Sequence, residues 1–498
     1  MILRRPRPAP DPLRRFVVLC PVEPLPPLVA PAASGYGSPP GPNAADALLP
    51  YLQGLYRLLP AEQVQGILAR TCRSGQRQRR LPAAAVLRLV IGLGLLPQPS
   101  IPKVWRAFHP SSAGAEPSDA AFSQARRRLG VAALRHAFDY VAQPLATPAT
   151  RGAFYRRWRL MAWDGTVCDV PDTPANARAF GRPGHAKGQG AFPQVRLLAL
   201  CELGTHALCA VQVKPLRCQE ITMARTLVRH LQADMLLLWD RAFLDYDLVQ
   251  AVRSRGAQLL ARVKRTQLGQ RLQELPDGSY LAVLRPGNHD RRRRAAALVV
   301  RVIEYTHDDP HRVGCGAMHR LMTTILDPAE LPAAVAPLLY HERWEEELAF
   351  DEIKTHLNGR AVPFRSKTPA GVVQEVYGLL LAHYVIRFVM HEAALAEDLD
   401  PDQLSFTDTV WTVRFHWPEV TAKGLSRWYA DLVREVGQQQ LRPRRERWYP
   451  RVLKKTQADY PKKRAEHEHP PQPTKPFGEA VVLLGPPGAT RNAGAPSG

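Results

Sequence analysis

Apolar positions change texture along the chain. Between residues 45 and 146 they recur at helical spacing, from Leu48 to Leu68, Ala83 to Leu96 and Ala132 to Val141, which predicts packed helices. Ser118-Asp119 reads as the cap of a further helix, and Gly130 as its stop. From Arg159 the pattern turns to short apolar runs. Arg159–Asp164, Val195–Cys201, Ala207–Val213, Met235–Asp240 and Gln258–Val263 read as strands, with helices over Glu220–Leu231 and about Asp245–Arg255. That order predicts a mixed α/β sheet. Residues 264–335 break it with β-like runs at Tyr280–Leu284 and Ala297–Tyr305, which we read as a β-rich insertion. A long helix is expected from Leu338 to Leu357, then helices over 369–398 and about 424–440.

These textures divide the chain. Residues 1–44, rich in Pro, Ala and Gly, are expected to be a disordered leader, and residues 465–498 a disordered tail. Between them stand a helical unit (45–146), an α/β unit (150–400) and a helical, basic C-terminal region (401–464). The apolar stretch Gly371–Met390 contains Gln374, Glu375, His383 and Arg387, which suits a buried helix and not a membrane span; no membrane partner is expected.

Charge adds a partner class. The 498 residues carry a formal net charge of +22, which favours a polyanion, because each neutralised phosphate releases counterions. Charge alone does not separate DNA from RNA or an acidic membrane surface. Seven cysteines include no CxxC pair, so a reducing cytoplasm is expected; Cys201, Cys209 and Cys218 near His206 lack the spacing of a zinc site.

Candidate chemistry lies in three acids. Asp164 and Asp240 each close an apolar strand, Asp164 before an expected turn at Gly165-Thr166, and strand ends are where α/β sheets open sites. Either alone is more readily a turn or cap residue. The helix over 338–357 is more informative. Tyr340, Arg343, Glu347 and Lys354 stand at offsets of three, seven and fourteen, within about 60° of one another on a helix. An ordinary surface face with an Arg343–Glu347 ion pair would look the same. Glu345, Glu346, Asp351 and Glu352 read as solvated charges, and Asp169, Asp172 and Asp245 as turn or cap residues.

The pattern Tyr-(2)-Arg-(3)-Glu-(6)-Lys resembles the signature of the insertion sequence 4 family of DDE transposases. Trp163-Asp-Gly-Thr166, Pro171–Asn176 and Ala179–Pro183 resemble the family's first-aspartate region, Leu238–Phe243 its second, and Arg365–Pro369 the segment after the glutamate helix. Arg79–Pro82 and Ser123–Gly130 are similar to its N-terminal domain. The resemblance covers about residues 45–455. It implies a ribonuclease H-like catalytic domain, a DNA-binding N-terminal domain, and a metal-binding triad of Asp164, Asp240 and Glu347. Two Mg²⁺ or Mn²⁺ ions fit such oxygen ligands. Tyr340, Arg343 and Lys354 are implied to hold DNA near the cut end, and Trp344 is placed either to stack on a base or in the core. Arg126, Arg127 and Arg128 are candidates for transposon-end binding. The partners implied are the inverted repeats of an element and its target DNA, with a homodimer bridging two ends, in a bacterial, nucleoid-associated cytoplasmic setting. Arg291–Arg294 and the tail from Arg442 to Arg464 are expected to contact phosphates. A DNA-binding relic without catalysis, or a nuclease of the same fold, would carry the same signature.

Overall fold

The computed structural model describes residues 57–71, 80–108, 116–185, 188–286, 298–311, 315–359, 364–415, 425–441, 473–484 and 490–492. The leader, the run Arg291–Arg294 and the basic tail Arg442–Arg464 lie outside them.

The N-terminal segment is helical: α1 (Ala61–Arg70), α2 (Ala83–Leu95), α3 (Ile101–Phe108), α4 (Asp119–Leu129) and α5 (Ala132–Val141). The Ser118 side chain accepts from the Ala121 amide at 3.2 Å, and Gly130, at φ 70°, ends α4 where a residue with a Cβ would be strained. Of these, α2, α4 and α5 rest on a long helix from later in the chain, Pro369–Ala396 (α11). Where α2 crosses it, Gly94 faces Gly378, and a Cβ on Gly94 would lie 2.5 Å from the Gly378 carbonyl oxygen. Two glycines therefore let the backbones meet, and they join the N-terminal helices to the α/β unit in one core.

The sheet begins with β1 (Trp158–Asp169), β2 (Gln194–Glu202) and β3 (Ala207–Pro215), antiparallel neighbours. Between β1 and β2 lies α6 (Pro174–Phe180), and α7 (Glu220–Leu227) follows β3. β4 (Met235–Trp239) then pairs parallel to β1; α8 (Tyr246–Ser254) leads to β5 (Gln258–Arg262), parallel to β4. The order 3-2-1-4-5, antiparallel and then parallel, is the ribonuclease H-like arrangement. Alternation buries both faces. Met161, Trp163, Leu237 and Trp239 enter the larger core; Leu160, Ala162, Leu236 and Leu238 enter the smaller core with Leu331 and Ala336.

Strands β6 (Leu268–Glu274), β7 (Tyr280–Leu284), β8 (Leu298–His307) and β9 (His319–Thr323) fall where the insertion is expected. They do not interrupt the sheet: β9 pairs with β5 and β8 with β9, so the insertion extends it. The tail differs from expectation. β10 (Val481–Leu484) pairs with β8 and β11 (Thr490–Asn492) with β10, so part of 465–498 is ordered strand at the sheet edge. An edge strand offers unpaired amides and carbonyls to any apolar segment that reaches it, which composition does not reveal.

The expected long helix is broken into α9 (Ala336–His341), α10 (Trp344–Asp351) and a π-helical turn over Glu352–Leu357. Across the junction the amides of Arg343, Glu345 and Glu346 reach back three residues and not four, which tightens the turn without turning the chain away. α11 (Pro369–Ala396) is long and apolar enough to cross a membrane, but its apolar window is 78% buried within the protein, as its polar residues predict. α12 (Phe406–Phe415) and α13 (Leu425–Gln438) pack beside it.

Candidate active site

The geometry starts from where strand pairing stops. β1 pairs with β4 only as far as Ala162–Leu238, while it continues beside β2 to Asp169. Asp164 is therefore not at a strand end before a turn; Gly165 and Thr166 remain in the β1–β2 ladder. It lies just past the end of the parallel pair, as Asp240 does after β4. It also has the strand parity of Leu160 and Ala162. Two neighbouring strands thus release two carboxylates at one edge.

Each carboxylate is locally held. Asp164 Oδ1 accepts from the Gly165 amide at 2.7 Å, and Asp240 Oδ1 from the Arg241 amide at 2.6 Å, capping the turn Arg241–Phe243. Burial raises the Asp164 carboxyl, and the charge of Asp240 adds to it; the Gly165 amide and Arg343 pull it back without cancelling the rise.

The broken helix is tied to both strands. Tyr340 donates to the Trp239 carbonyl at 3.3 Å, one residue before Asp240. Lys354 donates to Thr166 Oγ1 at 3.0 Å, two residues past Asp164. Between these anchors Arg343 lies 3.3 Å from Glu347 Oε1 and 3.9 Å from Asp164 Oδ2. One guanidinium therefore bridges two members of the expected triad, and its surroundings include Asp240. Burial pushes the Tyr340 phenol up to about 12 and Asp240 reinforces it, so it remains a donor at neutral pH. Glu347 and Lys354 are exposed, and Trp344 is 54% exposed, outside the core and beside Arg343.

The arginine cluster separates. Arg126 is 8% exposed and donates to Gln374 Oε1 at 3.2 Å, Ser366 Oγ at 3.0 Å and the Gly371 carbonyl at 3.0 Å, with Glu375 also 3.0 Å away. It holds α4 to α11 and is not available to DNA, contrary to expectation. Phe122 and Leu129, four residues before and three after it, share its buried face and explain why it turns inward. Arg127 and Arg128 are exposed. Arg126→Ala should destabilise the fold, by about 3–5 kcal/mol in chemical unfolding, because Glu375 is left buried without its partner. Arg127→Ala and Arg128→Ala should be near neutral in stability and instead flatten the salt dependence of DNA binding.

Two other expectations fail on burial. Glu346 and Glu352 are buried and not solvated. Glu346, Ala349, Phe350, Ile353 and Leu357 form one helical stripe, so spacing alone places Glu346 inward. Burial first, and the charge of Asp164 second, hold its carboxyl well above the usual range. Glu220, over Gly165 and 2.8 Å from Arg196, is a further carboxyl group in the field of Asp164. Asp245 is a cap, accepting from the Leu248 amide at 3.0 Å.

Residues 159–385 match the family model for a transposase DDE domain, and residues 51–139 match that for the insertion element 4 transposase N-terminal region. The chain belongs to the insertion sequence 4 family of DDE transposases. All three acids and the Tyr340, Arg343 and Lys354 face fall inside the DDE match. This family member is 28% identical over 430 residues to transposase InsG for insertion sequence element IS4 of Escherichia coli (strain K12), covering 84% of this chain and 95% of the relative. It is 28% identical over 203 residues to the putative transposase InsZ of the same organism, covering 40% and 66% of the two chains. Among solved structures, a piggyBac transposase synaptic complex with hairpin DNA aligns over 78% of this chain and 86% of that one, at 10% identity and a TM-score of 0.37.

Proposed function

We propose that this DDE transposase binds the ends of its insertion sequence, cuts the DNA there and joins the freed ends to a target. The observation that carries the proposal is the convergence of Asp164, Asp240 and Glu347 around Arg343, with the glutamate helix anchored to both aspartate strands.

The residues present fit divalent ions. The donors are carboxylates, which suit hard cations, and a guanidinium already stands where two of them need a positive charge. Asp164, Asp240 and Glu347 would hold two Mg²⁺ or Mn²⁺ ions. When bound, such ions lower the pKa of an attacking hydroxyl and neutralise charge on the leaving 3′-oxygen.

The chain's own groups do the positioning. Arg343, displaced from the acids, can fork onto a phosphate beside the cut. Tyr340 keeps its proton, which it donates to the Trp239 carbonyl, and presents a ring face. Lys354 supplies a point charge. Exposed Trp344 can stack on an unpaired base. Because burial raises Asp164, loading competes with its proton, and cleavage should weaken as pH falls through that raised value.

The deciding assay is cleavage of DNA carrying the element's inverted repeats, with Mg²⁺ and then with a labelled target. Cut ends joined through a free 3′-hydroxyl support a transposase. Cutting without joining identifies a nuclease, and end binding without cutting identifies a relic. Arg343→Ala should weaken end complexes and reduce the salt slope by about one; an unchanged slope would remove Arg343 from the DNA interface.

A further inference from the structure

Behind the catalytic helix lies a second convergence of ligand-type side chains. Glu345 is two residues from Glu347, about 200° round the helix, so it faces the opposite way. There His206, at the turn between β2 and β3, has a wholly buried side chain. Its Nε2 is 3.1 Å from Glu345 Oε2 and 3.2 Å from Asp402 Oδ1. Asp402 belongs to the short helical turn Pro401–Gln403 after α11. The three ligand atoms lie within 4.8 Å of one another.

We propose that His206, Glu345 and Asp402 form a zinc site, distinct from the catalytic acids, that clamps the glutamate helix to the β2–β3 turn and to the segment following α11.

Three observations support it. First, Asp402 Oδ1 is sealed from solvent and receives no hydrogen bond among the described residues; the His206 ring faces it at 3.2 Å, so with a neutral imidazole its charge is uncompensated unless a cation is supplied. Second, the geometry fits the ion. Zinc binds imidazole and carboxylate at about 2.0–2.2 Å in a tetrahedron, whose edges are then about 3.3–3.6 Å; the two edges from Nε2 are 3.1 and 3.2 Å, a small expansion away. Asp402 is 22% exposed on its side chain, which puts it at the rim of the site. Third, Glu352 Oε1 lies 2.9 Å from His206 Nδ1, the carboxylate behind a histidine that orients Nε2 toward a metal. Imidazole with two carboxylates selects a borderline ion such as Zn²⁺ over Mg²⁺. The cysteines near His206 take no part.

The structure also defines the competing state. Arg387, paired with Glu352, lies on the same side of the ring. If Nδ1 accepts from Arg387, Nε2 carries a hydrogen and no ligand atom remains. A protonated His206 bridging the two carboxylates likewise needs no ion. Both states predict no zinc.

The test uses the full chain carrying Asp164→Asn, Asp240→Asn and Glu347→Gln, which removes the catalytic donors. After chelator treatment and gel filtration, it is titrated with zinc chloride by calorimetry and its bound metal is counted. One equivalent is expected, with a rise in thermal midpoint as zinc is added. In the same background Asp402→Asn, at the rim of the site, should weaken binding at least tenfold while leaving the fold intact by circular dichroism, and Glu345→Gln should do the same. His206→Ala is less informative because the ring is core. Absence of stoichiometric zinc in the parent overturns the site, as does equal binding by parent, Asp402→Asn and Glu345→Gln.

Discussion

Asp164→Asn, Asp240→Asn and Glu347→Gln are each expected to lower DNA strand cleavage by ~10³-fold or more while leaving end binding within a few fold. The size follows from what a carboxylate ligand does: losing a metal-held charge costs several kcal/mol of transition-state stabilisation, and each 1.36 kcal/mol is tenfold in rate. Binding survives because the replacements are isosteric and the fold does not depend on these charges. Asp164 and Asp240 keep an oxygen for the Gly165 and Arg241 amides after conversion to Asn, and Glu347 is exposed. The acids act as a unit, so a double variant should be little worse than a single one. A single-turnover assay on end-containing DNA, run with a gel-shift titration on the same protein, measures both quantities. Any one variant cutting at the wild-type rate would show that the site is misassigned.

Arg387→Met should cost about 3–5 kcal/mol in chemical unfolding, the expected loss when a buried ion pair is broken and its partner charge remains. Arg387 is buried on α11 and donates to Glu352 Oε2 at 2.9 Å; His383 Nε2 lies 3.0 Å from the same oxygen. Burial alone would raise the Glu352 carboxyl, but Arg387 and His206 outweigh it and hold it well below the usual range. A depressed native value stabilises the fold above the unfolded carboxylate's ordinary pKa of about 4.3, and that contribution is lost as pH falls below it. Wild type should therefore lose stability on acidification below about pH 4 more steeply than Glu352→Gln. The double variant Glu352→Gln/Arg387→Met should recover much of the single-variant loss, because no lone charge is left buried. Denaturation midpoints across pH measure both effects. A loss for Arg387→Met no larger than about 0.5 kcal/mol, typical of surface changes, would exclude this pair as a structural element.

These expectations rest on different kinds of legibility. Strand positions were readable from apolar runs because β1, β4 and β5 are buried on both faces and so contain few polar residues. The face of Tyr340, Arg343, Glu347 and Lys354 was readable from spacing, and it persists through the tightened turn because the chain stays helical there. The inward turn of Glu346 was also readable, from the stripe it shares with Ala349, Phe350, Ile353 and Leu357. The run of three glutamates, Glu345–Glu347, hides it by suggesting solvent. Arg126 was masked in the same way by its neighbours Arg127 and Arg128.

The sequence by itself determined the mixed α/β order, the two apolar runs that lead into Asp164 and Asp240, and the helix that presents Glu347 with its basic and phenolic companions. Periodicity and strand endings are local properties, and local order survives in one dimension. Only the tertiary structure decided which charges are partnered. It placed Arg343 between Asp164 and Glu347, buried Arg126 beside Glu375, and joined His206, Glu345 and Asp402 from three separate elements. The physical reason is that desolvation and Coulomb energy depend on distance in space. Residues 206, 345 and 402 come within reach only after the sheet, the broken helix and α11 have packed.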